Sequence, residues 1–195
     1  YRKIISLKMK KIILALFLAG SSYISYAQKE PIITPYPVHI DSITKLISYE
    51  GVIDVKGSSA ALLYKRVNDW FHSYYKNPTE VIRENDSIKF SIVGKPRFRL
   101  SNPSDKDGNK VEGGFVQYTI TVSTREGRFK YELTGFNVKQ SSYFACEKWL
   151  DTKAKSYSPG FNDYLQQLEK YSLEVINSIK NSATHEKVVK NKDNW

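Results

Sequence analysis

Phe115-Val116-Gln117-Tyr118-Thr119-Ile120-Thr121-Val122-Ser123, then Thr124-Arg125-Glu126-Gly127, then Arg128-Phe129-Lys130-Tyr131-Glu132-Leu133 is the stretch that decides the fold. Val116, Tyr118, Ile120 and Val122 alternate with Gln117, Thr119 and Thr121, so the first run reads as a strand with one apolar face. Arg125-Glu126-Gly127 is a turn signal. Beyond it Phe129, Tyr131 and Leu133 take the inward side and Arg128, Lys130 and Glu132 the outward side, which predicts an antiparallel hairpin. Two strands alone are marginal in water, so the apolar face needs a covering layer.

The flanks supply that layer. Upstream, Tyr49 to Val55 reads as a strand, and Lys56-Gly57-Ser58 turns into a helix with Ser58 as the N-cap. Ala60, Leu63, Val67, Trp70 or Phe71, and Tyr74 then recur every three or four residues, and the helix stops before Asn77-Pro78. Thr79 to Arg83 and Ser87 to Val93 read as strands around a Glu84-Asn85-Asp86 turn. In the second of them Ile88, Phe90 and Ile92 oppose Lys89 and Ser91. Gly94-Lys95-Pro96 interrupts the run and re-aims Arg97, Phe98, Arg99 and Leu100. Asn102 to Gly114 is a polar loop, and Ser142 to Leu150 reads as a short helical segment. After Pro159-Gly160, a second amphipathic helix carries Phe161, Tyr164 or Leu165, Leu168, Tyr171, Val175 and Ile179. The order β-α-β-β-β-β-α predicts an α+β domain: an antiparallel sheet of about five strands, helices on one face and the other face open. It spans 45–183. Residues 28–44, with Pro31, Pro35 and Pro37, read as an extended leader, and 184–195 as a charged tail.

At 195 residues, 41% hydrophobic and 13% aromatic, the chain is too rich in core formers to be disordered and long enough for one domain. A single Cys excludes an intramolecular disulfide and a four-ligand cysteine zinc site. The net charge of +10 invites a polyanion reading. Part of it has another origin. Met9 is followed by Lys10, Lys11, an apolar run Ile12 to Ala19 and small residues ending Ser25-Tyr26-Ala27, the pattern of a Sec-type signal peptide over 9–27 cleaved after Ala27. The run is too short for a membrane span, which takes about 20 apolar residues. Residues 1–8 read as upstream read-through. Removing 1–27 takes Arg2, Lys3, Lys8, Lys10 and Lys11 and no acid, which halves the charge. The expected location is the periplasm, the outer-membrane surface or the medium.

Read together, Tyr49-Glu50-Gly51-Val52-Ile53, Lys56 to Arg66 with its Gly57-Ser58 turn and Leu63-Tyr64-Lys65-Arg66, Asp69-Trp70-Phe71, and Ile92-Val93-Gly94-Lys95 carry a resemblance. Over about 48–136 the chain resembles an exported Bacteroidota family of unknown function with a TATA-binding-protein-like fold. The resemblance implies that fold and implies no activity, cofactor or catalytic residue. Nor does it imply DNA binding, since a fold does not fix a function.

Catalytic patterns are missing: there is no Gly-rich phosphate loop, no dinucleotide fingerprint and no nucleophile elbow. His185-Glu186 opens like a zinc-protease helix, but Val189 stands where the second His belongs. His39 and His72 are too far apart in sequence to suggest a ligand pair, and Cys146 among Tyr143, Phe144 and Ala145 reads as a buried small hydrophobe. Asp105-Lys106-Asp107-Gly108-Asn109 resembles a calcium loop, yet with Gly108 in register the anchoring carboxylates fall on Pro103 and Gly114. Glu132, the one acid with apolar flanks, alternates outward. The reading is therefore a protein that is not an enzyme, with no catalytic, metal or cofactor residues to nominate.

Two surface features remain. Asp41-Ser42-Ile43 and Asp86-Ser87-Ile88 resemble the short O-glycosylation acceptor of Bacteroidota exported proteins, which nominates Ser42 and Ser87. Lys95, Arg97 and Arg99 share one side of their run, and Arg128 and Lys130 share one side of theirs. If the two faces are continuous, five cations line one sheet surface and attract a polyanion. The competing account is a solvated face that keeps the protein soluble. No aromatic residue interleaves these cations in the predicted pattern, which disfavours nucleic acid. The partner classes are thus an envelope protein or an anionic glycan or lipid head group. A non-catalytic binding domain, a structural envelope component docking to a protein, and a hydrolase with an unrecognised site are the readings to separate. A flat basic sheet favours the first, a large apolar patch the second, and an enclosed pocket with convergent titratable groups the third.

Overall fold

The computed structural model describes residues 34–102, 107, 112–139 and 142–184. The segments that the sequence reads as read-through (1–8) and signal peptide (9–27), residues 28–33 of the expected leader, most of the calcium-like loop and the tail from His185 lie outside the described residues. Strand β1 (Tyr49–Asp54) is followed by helix α1 (Ala60–Tyr74), the single turn α2 (Pro78–Val81), β2 (Ile82–Asp86), β3 (Ser91–Gly94) and β4 (Arg97–Ser101). The long pair β5 (Glu112–Arg125) and β6 (Arg128–Lys139) comes next, then β7 (Tyr143–Ala145), a 3-10 turn (Cys146–Leu150) and helix α3 (Phe161–Thr184).

The hairpin is the spine of an antiparallel sheet in the order β1-β6-β5-β3-β2, with β4 sharing β5's edge beyond β3 and β7 sharing β6's edge beyond β1. Among the described residues this makes seven strands, in an α+β arrangement as expected. Val116, Tyr118, Ile120 and Val122 are buried as the alternation requires, and α1 and α3 cover them with Leu63, Val67, Trp70, Phe71, Leu165, Leu168, Val175 and Ile179. The helices are also joined: Trp70 Nε1 donates to Ser178 Oγ at 3.0 Å and Arg66 Nη1 to the Ala183 carbonyl at 3.0 Å. At the hairpin tip, the Gly127 N–H donates to the Ser58 carbonyl at 2.9 Å and the Val55 N–H to the Gly127 carbonyl at 2.7 Å, tying the turn to the β1–α1 connection.

Several expectations change. The N-cap of α1 is Ser59, whose side chain accepts from the Leu62 N–H, while Ser58 is buried one residue earlier. Thr79 belongs to the turn of helix that Pro78 starts, since Pro has no N–H to lose at a first helical position. Glu84-Asn85-Asp86 lies in β2, and the turn falls at 87–90. Asp86 causes this shift: its Oδ1 accepts the Ile88 and Lys89 N–H groups at 2.9 and 2.8 Å, which closes the chain locally instead of extending it. Ile88 is consequently 89% exposed, and Phe90 takes φ 52° and packs on Tyr64. Ser142 to Leu150 splits into β7 and the 3-10 turn.

Two further departures bear on the surface. Thr119 pairs with Thr134 and Gln117 with Asn137, so β6 holds one more residue than β5 in that interval. Gly135, at φ +66°, is the residue that accommodates this bulge, and it exchanges the inward parity from Phe129 and Leu133 to Phe136 and Val138. The second half of the leader is also part of the fold rather than a spacer: Asn162 Oδ1 accepts the Tyr36 N–H at 2.8 Å and Asn162 Nδ2 donates to the Thr34 carbonyl at 3.3 Å. Just beyond it, Glu147 accepts the Ile47 N–H at 2.9 Å, and Ile47 is fully buried.

Candidate functional site: a basic cleft at a notch in the sheet

β3 and β4 pair with successive stretches of the same edge of β5, Ser123 to Ile120 and then Gln117 to Glu112. Between them the chain steps across the edge at Lys95-Pro96, held by Lys95 N–H to the Val81 carbonyl at 2.8 Å and Tyr118 N–H to the Pro96 carbonyl at 3.2 Å. Pro96 has no donor, so its carbonyl alone links the step to β5. Gly94 is required beside it. A Cβ there would stand 2.9 Å from the Phe71 ring, so any side chain would push the strand away from α1.

The notch and the α1–α2 connection enclose a cleft of about 540 Å³. Lys76, Arg83, Lys95 and Arg97 line it with one acid, Glu80, and with the polar Asn77, Thr79 and Gln117. All four cations are exposed, and none has a carboxylate at ion-pair distance among the described residues. Tyr75 forms part of the wall; its hydroxyl is hydrogen-bonded to that of Tyr118 at 3.2 Å. Burial pushes both phenols well above their usual range, and burial with the neighbouring Tyr171 and Glu174 pushes Tyr74 up to about 12. The tyrosines under the cleft therefore stay neutral and do not cancel its positive charge.

The five cations expected on one surface do share the outward side, but they form two groups. Arg97 and Arg99 sit opposite Gln117 and Phe115, whereas Lys130 sits opposite Ser123. The eight residue steps of β5 from Phe115 to Ser123 separate them by roughly 27 Å. The two ends also differ in charge balance. Arg128 and Lys130, with Arg125, border a hollow of about 380 Å³ at the hairpin tip, but Glu50, Asp54 and Glu132 stand among them by register. Lys130 Nζ lies 2.8 Å from Glu50 Oε2, and that hydrogen bond and charge raise its pKa. At the other end, β4, residues 115–119 of β5, 134–139 of β6, and β7 contain no acid. The expectation of no interleaved aromatic is likewise corrected: the Phe115 ring lies under both Arg97 and Arg99, 5.2 and 4.9 Å from centroid to guanidinium carbon. That side chain faces outward because it flanks the buried Val116, a parity the alternation already contained.

Lys76 and Arg83 were not nominated by the sequence. Lys76 follows the helix, and Arg83 stands near the start of β2, in a segment whose bounds the sequence reads as 79–83 and the structure sets at 82–86. Ser42 and Ser87 are both exposed in turns. His39 Nδ1 contacts the Ser48 carbonyl, and Cys146 is buried, which raises its thiol pKa. Among the described residues no group of three His, Cys, Asp or Glu is arranged to hold a metal ion, and no helix is long and apolar enough to cross a membrane.

Comparison with known proteins follows the same outline. A stretch of 99 residues, 51% of the chain, is 33% identical to the chaperone protein HtpG of Chlorobaculum tepidum, but spans only 15% of that protein's length. A solved structure of a TBP-like protein from Parabacteroides distasonis superposes with a TM-score of 0.59 at 11% identity, covering 72% of this chain and 94% of that one. A second, from Bacteroides ovatus, gives 0.61 at 14% identity over 76% and 92%. At such identity the likeness is one of fold. The second structure is of a DUF4468 family protein, and residues 49–139 of this chain, β1 through β6, match the family described as a domain of unknown function (DUF4468) with TBP-like fold.

Proposed function

We propose that the protein is an exported, non-catalytic binding module of the bacterial cell envelope that takes an anionic ligand in the notch cleft. The observation that carries this reading is the convergence of Lys76, Arg83, Lys95 and Arg97 on one cleft without paired carboxylates. Like charges held together repel, so such a grouping costs stability unless an anion relieves it. The arrangement supplies charge and hydrogen-bond donors, while the site offers Glu80 as its one carboxylate and no His. Binding therefore suits it better than proton transfer. Calorimetric titration with inositol hexakisphosphate at low salt tests this. Binding that is weakened about tenfold or more by the Arg83→Ser, Lys95→Ser double variant is expected, since each exposed charge contact is worth up to a factor of about five. Unchanged affinity would sink the cleft. Export is checked by fractionation and N-terminal sequencing, which should find the chain outside the cytoplasm beginning at Gln28.

We also propose that Ser42 and Ser87 are glycan acceptors. What favours this is that the two Asp-Ser-Ile triplets fold alike: each Asp Oδ1 accepts the next-but-one and following N–H groups, and Ile43 and Ile88 stand 87% and 89% exposed. Mass spectrometry of the protein from its native host should show hexose-series mass on both peptides, and bare peptides would refute it.

A further inference from the structure

We infer that the cleft takes a doubly phosphorylated amino sugar, its phosphates held by the cations and its ammonium by Glu80. The inference rests on the anion reading of the same cleft and adds to it the one acid of the wall. Lys76, Arg83, Lys95 and Arg97 reach the cleft from separate places: the chain just past α1, β2, and the step into β4. Cations that converge from separate walls suit several anionic groups on one ligand better than a single phosphate. At about 540 Å³ the cleft also falls in the range of small-molecule sites, roughly 300–1,000 Å³. Two phosphate monoesters at about −1.5 to −2 each, with one ammonium, match a lining that has three more cations than acids.

Glu80 is what selects the ammonium. It is exposed and stands at ion-pair distance from none of the four cations, although Lys76 lies four residues before it and Arg83 three after. The chain path keeps them apart. Pro78 opens a new helical turn after Lys76, and Ile82 leaves that turn for extended backbone at φ −67°, ψ 127°, so neither cation has helical spacing from the carboxylate. An acid that its neighbours do not neutralise repels a wholly anionic ligand and attracts a cationic group on a mixed one. The remaining lining fits a ring that bears hydroxyls. The Thr79 hydroxyl donates to Asn77 Oδ1 at 2.8 Å, which leaves Asn77 Nδ2 as a donor to the cleft. Gln117, opposite Arg97 on β5, carries an amide that both donates and accepts. Val81 and Pro96 supply apolar lining for the C–H face of the sugar.

Calorimetric titration of the full chain with the bisphosphates of glucosamine and of glucose, phosphorylated at the same two carbons, and with inositol hexakisphosphate tests this. The glucosamine compound should bind about two- to fivefold tighter than the glucose compound, the range of one exposed ion pair. Glu80→Gln, with circular dichroism matching the parent, should remove that preference and tighten inositol hexakisphosphate by about the same factor. The preference decides, because the effect of Glu80 on the phosphates cancels between two ligands that differ only at the amine. Equal affinity for the two sugars, or a preference that survives Glu80→Gln, would overturn the inference, while inositol hexakisphosphate binding sensitive to Arg83 and Lys95 would leave the anion cleft standing. Failure of all three ligands to bind would remove the cleft and the inference together. Flotation with vesicles that display the same doubly phosphorylated glucosamine on a lipid assigns the source once the Glu80-dependent preference is found: retention released by the soluble sugar identifies a lipid head group, and no retention identifies the free sugar.

Discussion

Phe115 carries two guanidiniums at once, so its ring affects binding without touching an anion. Phe115→Leu keeps apolar volume on the outward face and removes the quadrupole under the charges. The loss should be about 0.5–1 kcal/mol of positioning at Arg97, the one of the two that lines the cleft, read as a two- to fivefold weaker inositol hexakisphosphate affinity with little change in Tm. An unchanged affinity would mean that the arginines are held by the strand alone. A second single residue sets the local chain path. Asp86 lies below its usual carboxylate value of 3.8 because the Lys89 N–H, and then the Ile88 N–H and the Lys89 charge, favour its ionised form. The turn therefore gains from a group whose folded pKa is depressed. That gain is complete above pH 3.8 and disappears as pH falls through the folded value beneath it. Amide shifts of Ile88 and Lys89 followed by NMR should move together in that acid range, and Asp86→Asn should abolish the titration.

At the scale of elements, Gly135 decides which side chains β6 turns inward. Its φ of +66° is a left-handed conformation, and a Cβ there would have open space apart from Thr119 Oγ1 at 3.9 Å. The cost of Gly135→Ala is therefore conformational, about 1–2 kcal/mol, while Gly135→Asn should lose less because Asn tolerates that region. Thermal melts of the pair check this; equal losses would point to packing instead. The same bulge marks where the sequence stopped being legible. Before it, strict alternation placed Val116, Tyr118, Ile120, Val122, Phe129 and Leu133 correctly, and heptad-like spacing placed Leu63, Val67, Leu168 and Val175. After it, Phe136 and Val138 follow a parity that only pairing with β5 reveals. Asp86 hid the 87–90 turn for a related reason, since Ile88, Phe90 and Ile92 alternate as a strand would and only the side-chain hydrogen bonds break the run. In the candidate site, Lys95 and Arg97 were legible because they lie on one short strand approach. Lys76 and Arg83 were not, because the cleft joins them through the sheet edge and no local period links them.

On the scale of the whole molecule, the family match begins at Tyr49, yet the packing does not. Residues 34–48 run along the helical layer. Tyr36 is anchored at Asn162 near the start of α3, Asn162 Nδ2 donates back to the Thr34 carbonyl at 3.3 Å, and Ile40 bridges to Ile47 in a small antiparallel turn. Ile47 then fills the core completely, and Glu147 of the 3-10 turn takes its N–H. This segment thus connects the two parts of the fold lying outside the family match, the leader and the α3 layer, to the sheet within it. A chain beginning at Ser48 keeps every family residue but vacates the Ile47 site and leaves the Glu147 carboxylate without that donor. Removing a buried Ile side chain alone costs about 2–5 kcal/mol, and for a domain of this size each kcal/mol lowers Tm by roughly 2–4 °C. The truncated chain should therefore melt on the order of 10 °C below one beginning at Gln28, with Ile47→Ala in the longer chain reproducing most of the loss. Equal melting temperatures would show that the spacer role expected of residues 28–44 extends to residue 47, and that the domain boundary lies at the first residue of β1 instead of at residue 45.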